Sequence, residues 1–367
     1  MTAWPAMTDA LPLAFFAPPT AQLSVATYWL LGMVLTLLAI AWVVGRALRQ
    51  QPESTISPAV VKQFNRRVQA WLIMSAILGA GMLLGPTITT LLFFVASFWA
   101  LREFITMTPT RRGDHRALFW SFFLFTPLQY LLVGLSGPHN PQVNQWSWTL
   151  SWLPNWIHVP ELYGLFTVMI PVYASLMIPA RIAFSGDPKR FLERSAKIQA
   201  GLLICVYALS HAPALLYLDV LTQTGDEMTR WNGSLPGLLF YFVLITQLGD
   251  TFQFLSSKLL GRHVIAPQIH AGRTWEGLIG GTLCTAAAGA LLYWVTPFQI
   301  WESAFMAAAI ALMGFAGGMT MSAIKRDRGV RDYGTLVTGH AGVLDRIDSL
   351  CFAAPVFFHL TRYFFSA

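Results

Sequence analysis

The chain has 367 residues, of which 24 are Lys or Arg and 17 are Asp or Glu, and 55% are hydrophobic. Charged residues make up only 11%, against roughly 25% in an average soluble domain, and the mean hydropathy is +0.54. This composition excludes a disordered chain, a collagen-like repeat and a disulfide scaffold. It predicts an all-α, polytopic integral membrane protein.

The apolar stretches predict about ten transmembrane helices, since a bilayer core needs about 20 apolar residues per helix. In chain order they are 23–45, 68–85, 87–101, 117–136, 160–180, 198–217, 235–255, 277–297, 304–322 and 348–363. The second and third meet at Gly85-Pro86 and predict a tight helical hairpin. We divide the chain into an external N-terminal segment (1–22), a transmembrane scaffold (23–234) and a C-terminal region with the chemistry (235–367).

The basic residues separate by side. Of the 24 Lys and Arg, 22 lie in or beside every second connection between spans, and only Arg230 and Arg362 fall on the other face. Cytoplasmic loops hold the excess of Lys and Arg in membrane proteins, so the pattern predicts five inner loops and both termini outside. The net charge of +7 therefore reflects membrane orientation and excludes nucleic acid as the expected partner.

Polar chemistry gathers in two segments of the C-terminal region. The first runs from Asp250, directly after an apolar run, to the stretch Arg273-Thr274-Trp275-Glu276-Gly277. An acid at the end of a span usually has a cation or a functional partner. Arg273 and Thr274 precede a predicted helix, whose free N-terminal NH groups favour a phosphate.

The second segment, 322–348, packs four acids and five basic residues between two spans on the predicted inner face. Asp345 and Asp348 are three residues apart at a helix start, so both carboxylates can point the same way. Hard oxygen ligands in that arrangement suit Mg²⁺, which takes one or two carboxylates and completes its shell with substrate phosphates. A merely solvated loop would explain the basic residues but neither the paired acids nor the glycines of Gly339-His340-Ala341-Gly342.

These motifs resemble the signature of the phosphatidate cytidylyltransferase (CDP-diacylglycerol synthase) family. The second segment is similar at Ser322, Lys325, Arg326, Asp332, Gly334, His340, Gly342, Asp345, Arg346 and Asp348, and the first at Asp250 and 273–277. The departures are conservative in charge: Arg273 and Arg331 stand where the family has Lys, and Ala341 where it has Gly. Because Arg is a planar fork and Lys a point charge, these changes mark a divergent member and leave the acceptor lipid in doubt.

The resemblance implies that CTP and phosphatidate give CDP-diacylglycerol and pyrophosphate in phospholipid biosynthesis. The metal ligands implied are Asp250, Asp345 and Asp348, with Asp332 as a further ligand or orienting group. The cations implied to neutralise the triphosphate and the leaving pyrophosphate are Lys325, Arg326, Arg331 and Arg273. The remaining phosphate-binding assignments are Ser322, Thr274, His340 and Arg346.

We expect Mg²⁺ as the cofactor and CTP, phosphatidate or a related anionic phospholipid, and membrane lipids as partners. The expected location is a bacterial inner membrane, with the active site facing the cytoplasm. Two alternatives stay open: a CTP-dependent kinase of a lipid alcohol such as a polyprenol, and a transporter. A second metal, a monovalent cation and a homodimer also stay open. The segment around Arg102-Glu103 is interpreted as interfacial structure.

Overall fold

A computed structural model describes residues 23–48, 58–107, 110–135, 162–224, 227–330 and 342–366. Within these ranges the chain forms ten long helices: α1 Val25–Leu48, α2 Pro58–Leu84, α3 Pro86–Thr106, α4 Arg112–Leu135, α5 Tyr163–Ala183, α6 Phe191–Tyr217, α7 Leu235–Leu260, α8 Trp275–Leu291, α9 Ile300–Asp327 and α10 Leu344–Phe365. A short antiparallel hairpin, β1 Leu221–Thr224 and β2 Glu227–Arg230, lies between α6 and α7. The all-α class is confirmed.

Each predicted span falls on one of these helices. In the described part of the chain, seven are long and apolar enough to cross a membrane: α1, α3, α4, α5, α6, α7 and α9. In α2 only Val68–Leu84 is apolar, α8 has 17 residues, and α10 begins with the charged motif residues. Helix α2 therefore starts ten residues before the predicted span, as a polar extension of an apolar helix.

The predicted hairpin at Gly85-Pro86 is present. Gly85 connects α2 to α3 with a backbone φ of 111°. Residues with a side chain rarely adopt this conformation, whereas glycine does so readily. Pro86 then stands at the first position of α3, where a missing N–H costs no hydrogen bond. Two helices thus follow one another with one residue between them.

The connections lie alternately at two ends of the bundle, as the charge pattern predicts. At the basic end, Arg111 Nη1 lies 2.8 Å from Asp187 Oδ2 and joins the α3–α4 and α5–α6 connections. The opposite end carries the β1–β2 hairpin, and we call it the hairpin end. There Val220 pairs with Ser366, and Thr27 Oγ1 lies 2.6 Å from Ser234 Oγ. The first and last described parts of the chain therefore share the hairpin end.

The C-terminal helices α7, α8, α9 and α10 pack closely through small residues. A Cβ on Gly281 of α8 would lie 2.5 Å from Gln253 Cα and 2.6 Å from Gln253 N on α7. A Cβ on Gly317 of α9 would lie 2.9 Å from the backbone oxygen of Asp348 on α10. These close crossings bring the polar residues of four helices to one place.

Candidate active site

The candidate active site lies where α7, α9, α10 and the loop before α8 meet. Nine of the predicted residues are described there: Asp250, Arg273, Thr274, Ser322, Lys325, Arg326, Asp345, Arg346 and Asp348. The other three predicted residues, Arg331, Asp332 and His340, lie outside the described residues, as does Ala341. Their assignments remain predictions.

The end of α9 is joined to the start of α10 by an ion pair. Lys325 Nζ donates a hydrogen bond of 2.9 Å to Asp345 Oδ1, and the side chains are only 17% and 9% exposed. Two partly buried groups of opposite charge stabilise one another more than an exposed pair does. The pair therefore holds together the two borders of the segment between α9 and α10.

Arg273 lies at the centre of a second polar group. Its Nη1 donates to Gln253 Oε1 at 2.8 Å, and its Nη2 is 3.6 Å from Asp250 Oδ1. Gln253 Nε2 in turn donates to the backbone oxygen of Ala311 at 2.9 Å, and the guanidinium stacks over Phe315 at 5.0 Å. Arg273 is thus held by α7 and α9, and its charge faces Asp250.

The carboxylates of Asp250 on α7 and Asp348 on α10 are close enough to repel one another. The backbone N–H of Ser349 donates to Asp348 Oδ1 at 2.8 Å, and its hydroxyl lies 3.4 Å from the same oxygen. Two neighbouring carboxylates from different helices produce a negative local potential. The Arg273 guanidinium compensates it only in part, because its Nη2 is 3.6 Å from Asp250 Oδ1. A divalent cation would compensate that potential directly.

The described residues contain no group of three His, Cys, Asp or Glu arranged to hold a metal. Asp345 is engaged by Lys325, whereas Asp250 and Asp348 interact electrostatically with one another. Two carboxylates fit Mg²⁺, because this ion keeps several water molecules and binds substrate phosphates in its remaining positions. The geometry therefore suits a shared metal–substrate site better than an all-protein cage.

The loop between α7 and α8 is ordered by its own hydrogen bonds. Glu276 Oε2 accepts from the backbone N–H of Arg262 at 3.1 Å and of His263 at 3.2 Å, while Oε1 lies 2.5 Å from His263 Nδ1. Arg326 Nε donates to the backbone oxygen of Ile269 at 3.2 Å and connects the loop to the end of α9.

Burial and the nearby Arg273 charge lower the pKa of His270, so this histidine is neutral near pH 7.

Three predicted phosphate-binding residues also have structural contacts. Ser322 Oγ donates to the backbone oxygen of Gly318 at 2.6 Å. Thr274 is the N-cap of α8, where its Oγ1 accepts from the N–H of Gly277 at 3.1 Å, the usual role of Thr at that position. Gln247 Nε2 donates to the backbone oxygen of Arg346 at 3.3 Å. This contact involves the backbone of Arg346 and not its guanidinium.

The site is set back from the end of α7. The predicted span ended at residue 255, but the helix continues ten residues past Asp250 to Leu260, which is about 15 Å along its axis. The extension past residue 255 packs against α8, where Ser256 lies beside Gly280 and Ser257 beside Gly277. Gln253 was missed by the sequence analysis, although its spacing of three residues from Asp250 places both on one face of the helix.

Glu103 was also missed as a residue near the site, since the segment around Arg102-Glu103 was interpreted only as interfacial structure. Its side chain is 4% exposed, and its oxygens accept hydrogen bonds from the backbone N–H groups of Val343 at 3.1 Å and Leu344 at 2.9 Å. Trp99 Nε1 donates to the same carboxylate at 3.1 Å. A lone acid beside Arg102 looks like a surface residue in sequence, because its partners are 240 and 241 positions away.

A separate buried ion pair stabilises the basic end. Arg194 on α6 donates to both oxygens of Asp114, with Nε at 2.9 and 3.1 Å, and the two side chains are 4% and 2% exposed. Arg194 also contacts the loop carboxylate of Asp187 at 3.2 Å. Hydrogen bonds from Arg111 and from the backbone of Lys189 lower the pKa of Asp187.

Comparison with known proteins agrees with the site. Residues 65–364 match the sequence profile of the cytidylyltransferase family. The chain is 34% identical over 281 residues to YnbB of Escherichia coli, an uncharacterized protein, with 76% of this chain and 81% of YnbB covered. The chain therefore belongs to the cytidylyltransferase family, and it is a nucleotidyltransferase of the membrane.

Two relatives named phosphatidate cytidylyltransferase match a shorter part of the chain. The chain is 37% identical over 120 residues to a phosphatidate cytidylyltransferase of Staphylococcus aureus, which covers 32% of this chain and 46% of that enzyme. It is 36% identical over 135 residues to a phosphatidate cytidylyltransferase of Haemophilus influenzae, covering 35% and 46%. The chain thus matches about half the length of each of these enzymes.

Proposed function

We propose that this protein transfers the cytidylyl group of CTP to phosphatidate and forms CDP-diacylglycerol and pyrophosphate. The observation that carries the proposal is the juxtaposition of Asp250, Arg273, Lys325, Asp345 and Asp348 at the basic end of the bundle. Both substrates are anionic, so such a site must combine a metal-binding pair of acids with cations. The relatives named phosphatidate cytidylyltransferase support the choice of acceptor.

The proposed reaction needs no covalent enzyme intermediate. A phosphate oxygen of phosphatidate attacks the α-phosphorus of CTP, the bond from that phosphorus to the bridging oxygen breaks, and pyrophosphate leaves with the electron pair. The lipid phosphate is already ionised at neutral pH, so no general base is required. The work of the protein is to position two anions and to neutralise charge that develops on the leaving group.

The described residues divide this work between them. Asp250 and Asp348 would hold Mg²⁺, which when bound neutralises the phosphates and orients them. Arg273 lies beside Asp250 and Lys325 beside Asp345, and both would place positive charge where the triphosphate binds. Arg326 and Arg346 would add to this positive charge. The resemblance assigns Arg331 and His340 to phosphate binding and Asp332 to the metal, as a further ligand or orienting group.

The charge pattern supports an orientation for the site. The basic end would face the cytoplasm of a bacterial inner membrane, because cytoplasmic loops carry the excess of Lys and Arg. CTP would then reach the site from the cytoplasm, and phosphatidate would enter laterally from the inner leaflet. Basic loops at this surface also attract anionic headgroups.

The test uses the full-length protein in detergent micelles with Mg²⁺, phosphatidate and CTP labelled either at the α- or at the γ-phosphate. We expect the α-label in the lipid product and the γ-label in pyrophosphate. A panel containing phosphatidate, other anionic phospholipids and a polyprenol identifies the acceptor. Transfer of the γ-label to a lipid alcohol would replace the proposal with the kinase alternative, and no transfer to phosphatidate would refute the proposed acceptor.

A further inference from the structure

The segment from 331 to 341 carries several motif residues, and the structure shows how the chain is held directly after it. Val343 is the N-cap of α10 and Leu344 is its first residue, directly before Asp345. Both of their backbone N–H groups donate to the carboxylate of Glu103 on α3. The start of α10, which carries Asp345 and Asp348, is therefore attached to a helix from the N-terminal half of the chain.

This contact is a strong one for three physical reasons. A carboxylate that accepts hydrogen bonds from N–H groups at a helix N-terminus forms charge-assisted hydrogen bonds. Its negative charge also interacts favourably with the positive end of the helix dipole. At 4% exposure the carboxylate is also shielded from water, so each hydrogen bond is worth more than at a surface. Trp99 donates a third hydrogen bond and orients the group.

The other border of the segment has a weaker attachment. Arg328, just after α9, lies 3.9 Å from Glu193 on α6, between side chains that are 20% and 36% exposed. Such long and partly solvated pairs contribute little. Glu103 is thus the main described polar contact from the N-terminal half to the residues beside Asp345.

We propose that Glu103 is a positioning residue for the transfer reaction. It fixes the start of α10 so that Asp345 meets Lys325 and Asp348 lies within electrostatic range of Asp250. Two hydrogen bonds at adjacent residues define both the position and the rotation of the helix end, and the rotation decides where each carboxylate points. The inference rests on the proposed function for its kinetic consequence, whereas its structural part concerns the start of α10 alone.

The central variant is Glu103→Gln, which keeps the size of the side chain. Its amide offers one acceptor oxygen to three N–H donors and removes the charge. We expect kcat for cytidylyl transfer to fall by about 10- to 100-fold, since a misplacement of about 1 Å can cost about 100-fold in rate. The KM for CTP should stay within about twofold, because Glu103 contacts neither the described cations nor the loop before α8.

The matched control is Asp114→Asn. It removes an equally buried carboxylate whose partner, Arg194, lies on α6 and outside the motif segments. It should lower thermal stability without changing kcat per folded molecule. Equal losses of kcat in both variants, or wild-type kcat in Glu103→Gln, would overturn the positioning role. Should Glu103→Gln not fold, Glu103→Asp keeps the charge at a shorter reach and should show an intermediate kcat.

Hydrogen exchange measured by mass spectrometry separates this inference from the proposed function. Peptides covering 342–352 should take up deuterium faster in Glu103→Gln than in wild type, while peptides of α6 should not change. Asp114→Asn should show the reverse. Unchanged exchange at 342–352 refutes the attachment whatever reaction the enzyme performs. A wild-type protein with no activity on phosphatidate refutes only the proposed acceptor.

Discussion

The guanidinium of Arg273 lies against Gly318 of α9, where a Cβ would come within 2.7 Å of Nη2. The absence of a side chain at 318 creates the space that Arg273 occupies between Gln253, Asp250 and Phe315. A motif residue on the loop before α8 thus depends on a glycine of α9 that lies outside the recognised motifs.

Gly318→Ala should therefore impair activity without unfolding the protein. The arginine side chain can move aside, but it then loses its hydrogen bond to Gln253 and its approach to Asp250. Hydrogen bonds to charged groups contribute about 1.5–3 kcal/mol, so we expect kcat/KM to fall by about 10- to 100-fold. Gly164→Ala is the control, because a Cβ there meets nothing within 4 Å. Wild-type activity in Gly318→Ala would show that the position of Arg273 is unimportant.

Asp348→Asn should abolish turnover and leave the fold intact. The variant removes one of the two carboxylates proposed to bind Mg²⁺, and we expect it to lose several kcal/mol of metal-mediated stabilisation of the transition state. The measurement is cytidylyl transfer as a function of Mg²⁺ concentration. Asp327→Asn is the control, since that carboxylate is 67% exposed and pairs with the adjacent Arg328. Near-normal rates at saturating Mg²⁺ would remove Asp348 from the metal site.

Asp345→Asn should act differently, because Asp345 is paired with Lys325. We expect loss of activity together with a measurable loss of stability, since the lysine is left partly buried without that partner. Thermal unfolding and transfer activity are measured on the same preparation. The double variant Lys325→Met/Asp345→Asn should regain part of the stability and none of the activity. Failure of the double variant to regain stability would contradict the assigned ion pair.

Gly281→Ala should destabilise the protein at the crossing of α7 and α8. The new Cβ would overlap backbone atoms of Gln253, which cannot move without shifting the helix. Overpacking of this kind costs about 1–3 kcal/mol. At the neighbouring Gly280 a Cβ would meet only the side chain of Ser256, at 3.1 Å, so Gly280→Ala should be milder. Equal melting temperatures for the two variants would disprove the close crossing.

The orientation of the bundle is tested with single cysteines in a cysteine-free background. His263→Cys lies at the basic end and Met228→Cys at the hairpin end, and both native side chains are exposed. An impermeant maleimide should label position 228 in intact cells with a permeable outer membrane, and position 263 only after the inner membrane is opened. Labelling of 263 from outside would reverse the topology and separate the site from cytoplasmic CTP.

Much of this architecture follows from the sequence. The ten helices, the hairpin at Gly85 and the alternation of the basic loops are local features, since hydropathy and charge are read along the chain one segment at a time. Asp250, Lys325, Asp345 and Asp348 could also be singled out, because charged residues next to membrane spans are costly and need a reason to be there. The three-part division of the chain remains a prediction.

Other features depended on the tertiary structure. Glu103 and Leu344 are 241 positions apart, and neither the acid nor the helix start indicates the other in sequence. Gln253 and Gly318 also carry no signal in the sequence, because Gln253 is a neutral residue on an apolar helix and Gly318 is one glycine among many. Their roles come from helix crossings, where the small residues of one helix decide which side chain of another fits. Local patterns determined which residues carry the charge, and packing decided which of them meet.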